Sequence, residues 1–228
     1  MASGNGFGDR GTRPYRKRRP LPALIVIGVL FVGAMIVWVN AMLSKADIDE
    51  AIKCTPAPIA AEGVTYTPLG HAALDDRSPI PPDKVSLRVL NASGVRGQGK
   101  ITDTTLRELG FTGITETTND PAYPEKTPAK CKGQIRFGEN GVTAARTVSL
   151  IAPCAELVKD NRADASVDLA IGTKFGDIQP KAEASKIIEQ LKTWSAQHQG
   201  GGGGEQSAGA PSPNIDQTLL ASARDVTC

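Results

Sequence analysis

The sequence predicts an α+β protein: a small four-stranded sheet with split βαβ helices packed on one face (a βαββαβ-like order), preceded by one N-terminal transmembrane helix. Three observations lead to this class. An uncharged apolar stretch lies near the N-terminus, two strand–helix–strand patterns follow one another in the middle of the chain, and four cysteines all come after the apolar stretch. The length of 228 residues is enough for one modest domain with extensions.

Residues 21–43 read LPALIVIGVLFVGAMIVWVNAML and contain no charged side chain. About 20 apolar residues span the core of a bilayer, so this stretch is predicted to be a transmembrane helix. The basic residues 16–19 border it on one side, and the positive-inside rule therefore makes residues 1–20 a basic cytoplasmic arm. The rest of a single-pass plasma-membrane protein would then be extracytoplasmic. A cleaved signal peptide stays open as the alternative, because VNA at 39–41 weakly resembles a cleavage site.

The four cysteines predict disulfide bonds. Their number is even, and all of them come after the membrane segment, in the part of the chain that is predicted to lie in an oxidising compartment. No C-x-x-C pair occurs, which argues against redox catalysis and against a zinc site. Of the three possible pairings, the sequence favours Cys131–Cys154, which flank one strand–helix unit, and Cys54–Cys228, which would join the two ends of the ectodomain. The net charge of +2 argues against nucleic acid as a general partner.

Residues 44–83 are predicted to form a proline-rich extracytoplasmic stalk, and residues 84–198 the α/β domain. In the domain, alternating apolar residues predict strands in KVSLRVLN (84–91), ITETTND (114–120), GQIRFG (133–138) and SVDLAIGTKF (166–175). The segment AELVKDNRAD precedes the last strand and is left without a regular element. The glycine run 200–204 makes residues 199–213 a flexible linker.

Helical spacing of apolar residues predicts three helices in the domain and one at the C-terminus. The first, within 94–110, would turn Ile101, Thr105 and Leu109 inward and end at Gly110, with Phe111 as the hydrophobic contact of the cap. The second and third lie within 139–153 and 180–197. Residues 214–228 hold a short helix, with capping-box spacing at Asn214 and Gln217, and the last cysteine.

The turn between the first strand and first helix raises the question of a ligand site. Its glycines run G-x-x-G-x-G, which fits neither the dinucleotide fingerprint nor a Walker loop, so no cofactor is predicted. The structural interpretation is that Asn91 and Ser93 cap the helix, Gly94 takes a turn conformation, and Gly97 lets the helix approach the sheet. A helix N-terminus can also bind an anion such as a lipid headgroup, a phosphorylated glycan or a peptide carboxylate. These four residues are therefore the candidate ligand turn.

Catalysis is not predicted. The two histidines, His71 and His198, lie outside the predicted core, so a Ser-His-Asp site is hard to build. The acids at 160–164, with Asp168, lack the spacing of a calcium loop and are read as a solvated loop paired with Arg162. No catalytic, metal-ligating or cofactor-binding residue is assigned.

A family resemblance adds to this reading. VLNASGVRGQGKITDTTLRELGF (89–111) resembles the start of the LytR C-terminal domain, and CKGQIRFGENG, SLIAPCAELVKDNRADASVDLAIGTKF and the terminal cysteine resemble the mycobacterial type of envelope integrity protein within that family. The likeness covers residues 54–228 and the arm and anchor before them. It departs from the family pattern at the glycine run 200–204 and in the stalk.

The resemblance implies a role in the integrity of the cell envelope of mycolic-acid bacteria. Such domains are often appended to LytR-CpsA-Psr phosphotransferases, and this chain is expected to have no room for that catalytic domain. The predicted function is a non-enzymatic, membrane-anchored factor that scaffolds envelope proteins or binds a wall or lipid component. The alternatives are a module that binds peptidoglycan or anionic lipid directly, and, less favoured, a cell-wall hydrolase or transferase accessory.

Overall fold

The computed structural model describes residues 21–59, 63–198 and 213–228. It divides the chain into two units, of which the first ends at Ser44 and the second spans Lys45–Cys228. The predicted basic arm, and the linker up to residue 212, lie outside the described residues.

The apolar segment forms one long helix, α1, at Leu21–Ile52. In the described part of the chain, Leu24–Ile52 is the one helix long and apolar enough to cross a membrane, with a mean hydropathy of 2.5 in its most apolar window. The helix continues nine residues beyond the predicted end at 43 because SKADIDEAI consists largely of residues that tolerate helix. Its last residue, Ile52, is buried.

The second unit contains a six-stranded sheet rather than the predicted four-stranded one. Its strands are ordered β1-β5-β4-β6-β2-β3, and all neighbours are parallel except β1–β5 and β4–β6. The bounds are β1 Thr67–Leu69, β2 Leu87–Asn91, β3 Ile114–Asn119, β4 Gly133–Phe137, β5 Glu156–Lys159 and β6 Val167–Ile171.

The two strands that sequence reasoning missed are both short. β1 has three residues and includes Pro68, which an edge strand accommodates because one side of it needs no N–H donor. β5 has four residues and lies between β1 and β4, which stabilise it by pairing. It was missed because its own sequence shows little apolar alternation. The α+β class is confirmed, while the number of strands was wrong.

Within the described residues, four α-helices follow α1: α2 at Gln98–Glu108, α3 at Val142–Ile151, α4 at Ala182–Gln197 and α5 at Gln217–Arg224. They share one hydrophobic core with one face of the sheet, to which β2, β4, β5 and β6 contribute every second residue. The connections β2–α2–β3 and β4–α3–β5 are two parallel βαβ units. The opposite side of the sheet carries none of these helices, and we call it the helix-free face.

The inward side of α2 differs from the prediction in its first two turns. Thr102 and Leu106 are buried, whereas Ile101 is 63% exposed. The third predicted residue, Leu109, is partly buried and packs against the core. The end of the helix is as predicted: Gly110 has a φ of 98°, its N–H donates to the carbonyl of Arg107, and the N–H of Phe111 donates to the carbonyl of Leu106. This is the Schellman arrangement, and the buried Phe111 side chain completes it.

The segment predicted as a stalk is part of the domain. It contributes β1, and Leu74 and Ile80 lie in the main core. The backbone of Ile80 exchanges two hydrogen bonds with the hydroxyl of Thr147, at 2.8 and 2.7 Å. The many prolines suggested an extended stalk because proline interrupts regular structure. The suggestion was misleading because proline does not prevent the neighbouring residues from being buried.

The predicted disulfide pairing was wrong: the bonds are Cys54–Cys131 and Cys154–Cys228. Cys54 and Cys131 lie together in a second, smaller hydrophobic cluster, with Leu90 and Ala170, on the helix-free face. Cys154 instead follows α3 on the helix side, where α5 packs and delivers the C-terminal tail. The sheet therefore separates Cys131 from Cys154, although both precede neighbouring parallel strands.

The C-terminal helix begins at Gln217, and its N-cap is Asp216 rather than Asn214. The carboxylate of Asp216 accepts a hydrogen bond from the N–H of Leu219 at 3.0 Å. An Asp at the N-cap satisfies one of the free N–H groups of the first turn, as the predicted Asn would have done two residues earlier.

Candidate functional site

The candidate ligand turn is held by its own side chains. The Ser93 hydroxyl donates to Oδ1 of Asn91 at 2.7 Å and accepts from the N–H of Val95 at 3.0 Å, while Nδ2 of Asn91 donates to the Val95 carbonyl at 2.8 Å. Neither side chain caps α2, whose N-cap is Gly97 without a side-chain bond. The predicted capping role was wrong, because Ser93 and Asn91 lie four and six residues before the N-cap position.

Two glycines of the turn have left-handed backbone conformations, with φ of 73° at Gly94 and 82° at Gly97. The prediction for Gly94 agrees with this geometry. A Cβ on Gly97 would meet no atom within 4 Å, so this glycine is not the point of close approach. Gly99 is buried against β3, but a Cβ there would make only an ordinary contact, 3.4 Å from Cγ2 of Thr117.

A recess of about 400 Å³ lies beside this turn, and we call it the turn recess. Asn91, Gly94 and Gly97 line it, whereas Ser93 is buried behind the loop. The exposed Arg96 is the cation of its lining. Its full lining is Asn91, Gly94, Arg96, Gly97, Asn119, Asp120, Tyr123, Pro124 and Glu125.

A second and larger recess, about 540 Å³, opens on the helix-free face, and we call it the charged recess. It adjoins the turn recess, because Asp120 lines both. Its floor consists of strand residues whose side chains alternate with the core, and its rim comes from loops. The lining is Val64, Tyr66, Arg88, Leu90, Glu116, Thr118, Asp120, Pro121, Arg136, Asp160, Asn161, Arg162, Asp164 and Asp168.

Arg136 of β4 is the most enclosed cation of this recess. Its guanidinium donates to the Asp120 carboxylate through Nη2 at 2.7 Å and Nη1 at 3.2 Å, and to Oε1 of Gln134 through Nε and Nη2 at 3.0 and 2.8 Å. The rings of Tyr66 and Tyr123 lie 5.3 and 5.6 Å from its Cζ atom, which is a cation–π arrangement. Burial raises the pKa of Tyr123, and the charge of Arg136 opposes that shift.

A second ionic network crosses from β2 to β6. Arg88 donates to both oxygens of Asp168, at 2.6 and 2.9 Å, and Arg162 joins Asp168 to Asp160. Burial raises the pKa of Asp168, but hydrogen bonds from Arg162 and Arg88 lower it more, so its pKa lies below the ordinary value. The predicted pairing through Arg162 agrees with this geometry. The predicted solvation of the loop was wrong for its paired acids, because Asp160 and Asp168 are buried.

Sequence reasoning missed Arg88, Arg136 and Asp120 as site residues. A signal was present, because Arg88, Arg136 and Asp168 each stand in the middle of a strand, one position out of phase with the core residues. In antiparallel and parallel sheets alike, such residues share the opposite face. The pairing of Arg88 with Asp168 could not be predicted without the strand order, which places β2 beside β6.

The two histidines lie apart from both recesses. Nε2 of His71 lies 3.0 Å from the carbonyl oxygen of Pro153, and burial lowers the pKa of this histidine. The His198 ring stacks on Trp194 with centroids 4.4 Å apart. Neither lines the turn recess or the charged recess. Among the residues that the structure describes, no cluster of three or more His, Cys, Asp or Glu could hold a metal ion.

The fold and its crosslinks define the class: an α+β domain with two disulfide bonds that follows an apolar N-terminal helix. The family model described as "LytR cell envelope-related transcriptional attenuator" matches residues 84–175. Over 196 residues the chain is 39% identical to the cell envelope integrity protein Cei of Mycobacterium tuberculosis, covering 84% of this chain and 89% of that protein. The chain therefore belongs to the Cei family.

A solved structure supports the same assignment. The crystal structure of the soluble domain of a conserved hypothetical secreted protein from Mycobacterium marinum superposes with a TM-score of 0.57 at 34% identity. The match covers 71% of this chain and 97% of that domain. The family resemblance noted in the sequence is thus confirmed.

Proposed function

We propose that this protein is a single-pass, membrane-anchored cell-envelope integrity factor that acts outside the cytoplasm by binding, not by catalysis. Kinship with Cei supports the envelope role. The basic residues before α1 and the two disulfides after it support a cytoplasmic N-terminus and an extracytoplasmic domain.

The observation that carries the binding proposal is the helix-free face. Helices α2–α5 all pack on the other side of the sheet, so this face presents the charged recess and the adjoining turn recess directly. The buried charges there are paired, which makes the floor rigid, while Glu116, Asp164 and Arg96 are exposed. Exposed charges of both signs around a rigid polar floor suit a polymer with amino and carboxyl groups, and peptidoglycan is such a polymer.

The test is retention on purified wall sacculi. The full chain in nanodiscs is mixed with sacculi, sedimented and quantified, with empty nanodiscs as the blank. The variant E116R/D164R reverses two exposed acids of the charged recess. The control E108R/E189R makes the same change of charge on α2 and α4, whose exposed residues lie on the other side of the sheet.

The expected result is retention of the wild type and of the control, with clearly weaker retention of E116R/D164R. Equal retention of the wild type, E116R/D164R and the control would show that the helix-free face is not the wall-binding surface. No retention of the wild type would refute wall binding, and crosslinking to envelope proteins in the native membrane would then favour a scaffold.

A further inference from the structure

A third recess, which we call the tail pocket, lies on the helix side of the sheet. It is enclosed by the end of α3, by the loop from β6 to α4 and by the C-terminal tail after α5. Its volume of about 480 Å³ falls within the range of small-molecule sites. The lining is Lys132, Gly133, Ile151, Ala152, Pro153, Cys154, Ala155, Leu169, Lys174, Phe175, Gly176, Asp177, Gln179, Lys181, Val226 and Thr227.

The deep part of the tail pocket is apolar. Ile151 and Leu169 belong to the main core, and the half-buried Phe175 packs against it. Val226 forms part of the wall, and the Cys154–Cys228 bond holds that end of the chain in place. A fixed apolar wall favours an aliphatic ligand group, because each buried methylene contributes about 0.8 kcal/mol.

The rim of the tail pocket is cationic, with Lys132, Lys174 and Lys181 against a single carboxylate, Asp177. The Lys181 ammonium donates to the carbonyls of Ser222 and Asp225, both at 2.8 Å. Within the described part of the chain, no carboxylate lies within 4.0 Å of the ammonium of Lys132 or Lys174. This contrasts with the charged recess, where Arg88, Arg136 and Arg162 are all paired with acids.

We propose that the tail pocket binds an anionic amphiphile, with an aliphatic chain on the apolar wall and a phosphate or carboxylate at the lysine rim. Two free ammonium groups beside an apolar cavity complement such a molecule in both charge and polarity. A wall polysaccharide would leave the apolar wall uncovered, and a neutral lipid would leave the rim uncompensated. The site is separate from the helix-free face and does not depend on wall binding.

The experiment uses the full chain in phosphatidylcholine nanodiscs and three photoreactive probes of equal chain length: an alkyl phosphate, an alkyl carboxylate and an alkyl alcohol. Crosslinked residues are mapped by mass spectrometry. The variant K132E/K174E reverses the rim. The control K126E/K130E makes the same change of charge at exposed lysines outside the pocket lining.

The expected result is labelling of residues 151–155, 174–179 and 226–227 by an anionic probe, with at least tenfold weaker labelling of K132E/K174E and unchanged labelling of the control. The stronger of the two anionic probes identifies the headgroup, a lipid phosphate or a fatty-acid carboxylate. Circular dichroism checks the fold, and K132Q/K174Q replaces the first variant if that one unfolds.

Three outcomes would overturn the proposal. The alcohol could label as strongly as the anions, both charge-reversal variants could lose labelling equally, or the crosslinks could map to the charged recess. Because sacculi retention and lipid crosslinking are separate measurements, failure of one does not entail failure of the other.

Discussion

Replacing Asp120 by Asn tests how the helix-free face is held together. The Asp120 side chain is 0% exposed and that of Arg136 is 3% exposed, with Nη2 and Oδ2 2.7 Å apart. Asn keeps the shape of the side chain but removes its charge. The guanidinium of Arg136 then stays buried without its counter-ion, which is more costly than the loss of the same pair at a surface.

The expected magnitude follows from the contacts that remain. Breaking a buried ion pair by removing one partner costs about 3–5 kcal/mol. Arg136 keeps the hydrogen bonds to Gln134 and the two tyrosine rings, and cation–π contacts contribute about 0.5–2 kcal/mol each. D120N should therefore lie at the lower end, with a loss of about 3 kcal/mol in the free energy of unfolding.

The reverse replacement, R136M, leaves the Asp120 carboxylate buried with the N–H of Ala122 as its remaining donor, at 2.9 Å. It should also cost about 3 kcal/mol or more. In the double variant D120N/R136M no unpaired charge is left, so its cost should fall well below the sum of the two single costs, with a coupling of about 2 kcal/mol or more.

The assay is urea unfolding of the full chain in detergent, with the disulfides intact, followed by far-ultraviolet circular dichroism. E189Q, which removes the exposed pair with Lys192, serves as the control and should change stability by less than about 0.5 kcal/mol. A cost of D120N below about 1 kcal/mol, or strict additivity in the double variant, would refute the view that this pair is buried and coupled.

Three further predictions concern the crosslinks, the second ionic network and a helix cap. Tryptic digestion without reduction should yield two linked peptide pairs, 54–77 with 131–132 and 147–159 with 225–228; a link between 131–132 and 147–159 would contradict the observed pairing. Because the pKa of Asp168 is lowered in the folded state, its charge contributes stability above pH ~4 that is lost as the pH falls through the folded pKa. D168N should therefore flatten the plot of unfolding free energy against pH below pH ~4. Equal slopes of this plot for D168N and the wild type would exclude this role. G110A places a side chain at a φ of 98° and should cost about 1–2 kcal/mol by the same urea assay, whereas an unchanged midpoint would argue against the left-handed cap.

Several elements were predictable because their signals are local. The α2 end at Gly110 and Phe111 follows from the left-handed residue that a helix needs in order to stop. Strands β2, β4 and β6 follow from apolar alternation over five residues each. The predicted face of α2 was right at Leu109 but shifted by one position in the first two turns, because helical spacing alone does not say where the sheet lies.

The remaining features depended on distant partners. β5 exists as a strand because β4 and β1 pair with it, and the predicted stalk belongs to the domain because Thr147 binds Ile80 across 67 residues of sequence. Arg136 and Asp120, 16 residues apart, could be recognised as charged but not as partners. Their meeting requires the loop after β3 to fold over β4.

By itself the sequence determined the apolar N-terminal helix, the α+β class, the family and the presence of disulfide bonds, because each depends on composition or on spacing within a short stretch. Only the tertiary structure decided which cysteines are joined, which face of the sheet is free of helices, and where the three recesses lie. The physical reason is that a sheet has two sides. Contacts throughout the domain decide on which side of the sheet a loop lies. Cys131 and Cys154 both precede neighbouring strands, yet they lie on opposite sides of the sheet.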